Sequence, residues 1–204
     1  IGMLLFLPAG TLAYCGAWRL FAALFIPMLV MGVAMLIFSP ELLRRRLASK
    51  EERSTQQGII RFAGLLFIVS FVVAGLDFRF GWFHLPAWVS WVAVVLFLLS
   101  YVLYAEVLRE NAFLSRTIEV QEGQTVVSTG LYGIVRHPMY MTTLVLFLSM
   151  PLVLGSIHAF LVFLAYPVII GKRLLAEEAF LEEHLPGYRE YRQKVKYRLI
   201  PFVW

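Results

Sequence analysis

Four apolar runs dominate the chain, and their lengths leave few ways to fold it. Positions 17–38 carry only Arg19 as a charge, 59–76 carry Arg61, and 87–108 carry Glu106. The fourth run, 139–171, is uncharged but broken by Pro151 and by Gly155-Ser156. About twenty apolar residues in a helix cross the roughly 30 Å hydrocarbon core of a bilayer. A single helix over 139–171 would overshoot that thickness, so the break predicts two antiparallel segments joined in a hairpin. Backbone groups in lipid must pair within their own segment, which makes these runs helices. The expectation is an all-α integral membrane protein of about five transmembrane helices, with a C-terminal helical hairpin.

Composition supports that reading. Hydrophobic residues make up 60% of the chain, well above the roughly 45–50% of a soluble domain. The 18 Lys and Arg against 13 Asp and Glu leave +5, but this excess sits in loops between apolar runs. That pattern orients a membrane protein and does not grip nucleic acid. The lone cysteine, Cys15, permits no internal disulfide. Residues 1–7, with Pro8 and Gly10 behind them, read as the tail of a span followed by an interfacial turn.

The loops divide by side. Residues 39–57 carry Arg44, Arg45, Arg46, Lys50 and Arg53 beside Glu41, Glu51 and Glu52, the basic signature of a cytoplasmic loop. Such a cluster serves orientation alone or contact with anionic lipid. The outer loop, 77–86, has one basic residue, Arg79, and an aromatic group, Phe78, Phe80, Trp82 and Phe83, of the kind found at headgroup level in any membrane protein. The stretch 110–136 is long and polar, with an alternating, strand-like or irregular segment T-I-E-V-Q-E-G-Q-T-V-V-S-T-G. Long structured loops tend to carry function. The tail, 172–204, is charged and amphipathic, with a break at Leu185-Pro186-Gly187. By this reading the polar chemistry gathers on the cytoplasmic face, and the chain divides into N-terminal spans, 1–108, and a catalytic region, 109–204.

Two stretches stand out as a candidate site. The first is Gly130 to Tyr140, G-L-Y-G-I-V-R-H-P-M-Y. Pro138 opens an apolar helix where its missing N–H costs nothing, and the amides of that first turn, with Arg136 beside them, form a candidate anion site. The second is Arg173 to Glu178, R-L-L-A-E-E. Arg173 and Glu177 share a helix face, and Glu178 turns about 100° away. A cation and an anion on one face suit a zwitterionic ligand, or two ligands of opposite charge. The same residues also fit a plainer account, with an interfacial ion pair at 173 and 177, Arg136 as a snorkelling anchor and His137 as a satisfied polar group. The histidines at 84, 137, 158 and 184 lack partners at ligand spacing, which offers no metal site. His158 falls near the middle of a predicted span.

The order S-T-G-L-Y-G, R-H-P-M-Y, an apolar hairpin, R-x-x-x-E-E-x-x-L, L-P-G-Y-x-x-Y-x-x-x-V and a closing I-P-F resembles the isoprenylcysteine carboxyl methyltransferase family and its relatives, the phospholipid N-methyltransferases. The likeness covers about residues 106–202. It implies a cytoplasmic pocket for S-adenosylmethionine, closed by the C-terminal tail, and a lipophilic or lipidated methyl acceptor in the membrane. In the family's terms Gln121 and the backbone of Gln124, Thr125, Val126 and Val127 line the cofactor pocket. Tyr132 and the turn His137, Pro138, Met139 and Tyr140 complete it. Glu177 holds the cofactor's polar end, and Arg173 lies nearest the substrate. The chain departs from the eukaryotic pattern in having Gln124 where those enzymes have His. Carboxyl O-methylation is the reaction implied first and N-methylation of a phospholipid or amine the second, with His137 or Glu178 as the base an amine would want. A sterol-type reductase using NADPH, whose C-terminal half is similar, and a non-enzymatic scaffold or transporter are the remaining readings.

Overall fold

The structure, a computed structural model, describes residues 1–41, 43–44, 54–114 and 120–204. Arg45, Arg46, Lys50, Glu51, Glu52 and Arg53 of the basic loop lie outside the described residues, as do residues 115–119, the last three of which begin the alternating segment. Among the described residues the chain is all helical. We number the helices α1 (Gly2–Ala9), α2 (Cys15–Phe38), α3 (Ser54–Phe80), α4 (Ala87–Glu110), α5 (Pro138–Val153), α6 (Ile157–Phe163), α7 (Tyr166–His184) and α8 (Tyr188–Lys194), with a 3-10 turn at Gly130–Gly133 between α4 and α5. Four segments are long and apolar enough to cross a membrane: α2, α3 from residue 57, α4, and α6 with α7; α5 is a shorter apolar helix. The chain is thus a multi-pass integral membrane protein of the expected class.

The break in the fourth apolar run is where the hairpin turns. Gly155 takes φ 83°, a left-handed conformation that glycine adopts without a Cβ clash. Ser156 then caps α6 by accepting the Ala159 N–H, as a short oxygen-bearing side chain does at that position. Because α7 runs antiparallel to α5, Tyr140 and Leu144 pack with Phe163, Tyr166, Ile169, Ile170 and Leu174. His158 therefore sits just past the turn, near the end of the bundle, because the run is broken there. Its Nδ1 lies 3.2 Å from Asp77 Oδ2.

Lipid offers helices no hydrophobic reason to associate, so close approach and polar contacts must hold the bundle. Both are present. Gly75 of α3 lets α1 in so closely that a Cβ there would meet the Leu5 carbonyl oxygen at 2.6 Å. At the same end, Tyr14 donates to the Leu154 carbonyl at 2.8 Å. Buried Asp77 accepts from Ser156 Oγ at 2.6 Å and from the Phe83 amide at 3.3 Å, tying the end of α3 to the hairpin turn. One core joins α1, α2, α3 and α4 to the hairpin through Leu5, Leu20, Phe71, Phe97, Met150 and Val153.

At the opposite end the polar segments fold over the bundle. The alternating stretch forms no strand among its described residues; an isolated parallel bridge joins Val135 to Tyr197 instead. Its partner is the tail, which returns after α8 and accepts the Arg136 and His137 amides on the Tyr197 and Arg198 carbonyls, both at 2.9 Å.

Candidate active site

Glu110 and Asn111, at the end of α4, anchor the loop that forms one wall. Glu110 Oε2 accepts from Thr129 Oγ1 at 2.5 Å, and Gly130 follows at φ 55° with no room for a side chain, since a Cβ would lie 2.9 Å from Glu110 Cγ. Asn111 Nδ2 then donates to the Tyr132 phenol at 2.9 Å. From the tail, Tyr191 donates to the Tyr132 carbonyl at 2.7 Å. Tyr132 is thereby held from two elements and buried.

The turn into α5 is built on one carboxylate. Glu178 Oε1 accepts from Arg136 Nε at 2.6 Å and lies 3.3 Å from His137 Nε2, while Oε2 accepts from Arg198 Nε at 2.8 Å. Arg136 also donates to the Val195 and Lys196 carbonyls at 2.8 and 2.9 Å. This corrects two expectations. Arg136 borders the cavity described below, but its charge faces Glu178 and its Nε and Nη1 donors are engaged inside the protein, so it is not a cation held ready for an incoming anion. Glu178 does not serve as a base, because both of its oxygens face cations or an imidazole in a site from which water is excluded, its side chain being 5% exposed.

Glu177, one position earlier, is 24% exposed. Tyr140 donates to Glu177 Oε2 and accepts from Arg173 Nε at 3.1 Å, so the expected cation and anion are joined through a phenol rather than only along their helix. His137 Nδ1 lies 4.0 Å from Glu177 Oε1, and its Nε2 is 3.4 Å from the Tyr188 hydroxyl. Burial first, and then the Glu178 and Glu177 carboxylates, push the Tyr188 phenol well above its ordinary range. It is therefore a neutral hydrogen-bonding group.

Between these elements lies an open cavity with about 770 Å³ of empty space, its mouth included. Gln124, Thr125, Val126, Val127, Tyr132, His137, Pro138, Met139, Tyr140 and Glu177 are all on its wall. Gln121 and Arg173 stand behind it. Gln121 donates to the Phe113 carbonyl at 2.8 Å, and its amide donates to Gln124 Oε1 at 2.9 Å, so it braces a wall residue; Arg173 reaches the wall through Tyr140. Sequence reasoning left out Asn111, Phe113 and Leu114 on one side and Leu181, Leu185, Tyr188 and Tyr191 on the other. The L-P-G-Y-x-x-Y motif was the available signal for most of the second group. Gly187, at φ 82°, turns the chain sharply enough to bring both tyrosines back over α5.

Chemically the cavity has two characters. A carboxylate with residual exposure and the first-turn amides of a helix, which have no intrahelical acceptors, mark its polar side. Val126, Leu181 and Leu185 make one apolar side, and Val127 packs with Leu114, Tyr132 and Met139 on another.

Fold and cavity together define a multi-pass membrane protein with a ligand-sized chamber at one end of its bundle. The model of the phospholipid methyltransferase family matches residues 88–187, a segment that runs from α4 through the hairpin to the turn before α8 and supplies nearly all of the cavity wall. This segment is thus similar to a family of membrane methyltransferases. Among curated proteins, Delta(14)-sterol reductase TM7SF2 of Mus musculus is 30% identical over 91 residues, which is 43% of this chain. The chain spans only 22% of that relative's length.

Proposed function

We propose that the protein is an S-adenosylmethionine-dependent methyltransferase acting on a lipophilic acceptor, and that its chamber faces the cytoplasm. The observation that carries this reading is the coincidence of the cavity with the segment that matches a methyltransferase family. The wall residues fit the cofactor's chemistry. The Glu177 carboxylate suits its ammonium, the first-turn amides of α5 suit its carboxylate, and the Val126, Leu181 and Leu185 surface suits its adenine. When bound, S-adenosylmethionine supplies an electrophilic methyl group on a sulfonium centre.

The chain's own contribution is position and dryness. Methyl transfer is an in-line displacement that needs no metal and no triad, so alignment of the two reactants and exclusion of water account for the catalysis. Tyr188 and Tyr191 line one side of the chamber and narrow its access to water. Arg173, held by Tyr140, offers a planar fork to an acceptor carboxylate, which favours carboxyl O-methylation of the kind carried out by isoprenylcysteine carboxyl methyltransferases. A carboxylate acceptor has no proton to lose.

Phospholipid or amine N-methylation is a second reading, favoured by the description of the matching family. His137 would then be the group to take a proton, with Glu178 fixing its ring. A nicotinamide-dependent reductase is a third, favoured by the similarity to the sterol reductase. Calorimetric titration of detergent-purified protein with S-adenosylhomocysteine and, separately, NADPH tests the cofactor. Heat from the first alone, lost in E177A, supports the methyltransferase. Heat from NADPH alone overturns it.

A further inference from the structure

At the end of the bundle away from the candidate active site, Arg19 is the junction of two cavities. Arg19 lies one turn into α2, and its guanidinium carbon is 5.5 Å from the centroid of the Trp91 ring on α4. Its Nε is buried without a hydrogen-bond partner. Among the described residues its side chain has neither a hydrogen bond nor an ion pair. A cation within a membrane helix is costly unless something compensates it, and an aromatic face compensates only in part.

The spaces on either side of Arg19 differ. On one side is a chamber of about 840 Å³, its mouth included, whose polar groups are Arg19, Tyr14, Asp77, His84 and Ser90. Asp77 lines the same chamber but makes no ion pair with Arg19; its carboxylate accepts from Ser156 and the Phe83 amide, with His158 beside it. On the other side is an apolar groove of about 660 Å³ between α2 and α4, lined by Ala22, Ile26, Pro27, Trp91, Val94 and Leu98. Arg19 borders both. Polar space, a cation in need of an anion and an apolar trough thus follow one another over a few residues of α2.

We propose that this is a phospholipid-binding site, with a headgroup phosphodiester against Arg19 and an acyl chain in the groove between α2 and α4. The pairing of one unmatched cation with an adjoining apolar channel fits a molecule in which phosphate and hydrocarbon are covalently joined. A soluble phosphate would use the chamber and leave the groove without a role; a neutral lipid would use the groove and leave Arg19 unpaired. The site lies at the far end of the bundle from Glu177, so its lipid is structural or regulatory and is not the methyl acceptor.

Native mass spectrometry of the full chain, released from detergent with added phosphatidylglycerol or diacylglycerol, tests the proposal. The wild type retains one phosphatidylglycerol under activation that strips diacylglycerol. R19Q lowers that occupancy at least about tenfold, the effect of losing a hydrogen bond to a charged group. A22W lowers it similarly, by filling the exposed side of the groove with Arg19 still in place. If R19Q does not fold, A22W decides the question. Undiminished retention by the variants, or equal retention of diacylglycerol, overturns the site. So does displacement of the lipid by millimolar inorganic phosphate, which would mark an ion site alone.

Discussion

Glu177 and Glu178 are chain neighbours with the same side chain, yet the fold gives them opposite duties. Glu178 points inward, where Arg136, His137 and Arg198 surround it and its side chain keeps 5% of its exposure. Glu177 points toward the cavity, keeps 24%, and has Tyr140 as its hydrogen-bond donor. One carboxylate closes a structure by neutralising cations from two distant segments. The other retains capacity for a ligand. The lesson is that a pair of acids in a sequence marks a place, and that only the partners brought from elsewhere assign the work.

The contrast can be broken from the Glu178 side first, where the largest effect is expected. E178A leaves Arg136 buried without its counter-charge, a loss of about 3–5 kcal/mol for a buried pair. Thermal unfolding in detergent should show a large drop in Tm, and E178Q a smaller one, since the amide keeps an acceptor for Arg136. A Tm unchanged in E178A would remove Glu178 from its structural place.

R173A comes next. It should lower methyl transfer by about a hundredfold, the scale of a misplaced reactant, while S-adenosylhomocysteine affinity stays within about threefold. Parallel titration calorimetry and turnover with labelled methyl donor separate the two. Equal loss in both assays would show that Arg173 serves the cofactor instead of the acceptor.

E177A should weaken S-adenosylhomocysteine binding at least about tenfold, as expected for one hydrogen bond to a charged group, and shift Tm little because the side chain is partly open. Loss of stability comparable to E178A would erase the distinction between the two acids. The smallest effect concerns Tyr188. Its phenol favours the protonated form in the folded state, so the stability this contributes is intact below its ordinary value of 10.0 and falls away only at higher pH. Thermal unfolding of wild type and Y188F should therefore follow parallel courses from pH 7 to 9, and a divergence there would show the phenol titrating early.

How much of this was legible in the sequence differs between the two ends of the site. The turn at His137-Pro138 and the shared helix face of Arg173 and Glu177 could be read locally, because helix starts and i,i+4 spacing are short-range properties. The role of Arg136 could not. Beside a helix N-terminus it reads as an anion binder, and it became a structural cation because Glu178, forty-two positions away, and two tail carbonyls reached it first. Likewise Arg19 read only as the single charge near the start of a span. Its unpaired Nε and the cavities beside it emerge only when α2 and α4 are set together.

By itself the sequence determined the membrane class, the helical spans and the hairpin. Apolar runs of bilayer length permit no other pairing of backbone groups, and a break of proline, glycine and serine in mid-run permits no straight continuation. Tertiary structure alone decided which acid is spent, that Arg19 has no ion pair among the described residues, and that the tail's tyrosines roof the cavity. Charge compensation and the exclusion of water depend on groups far apart in the chain, and their pairing is fixed by packing rather than by neighbouring residues.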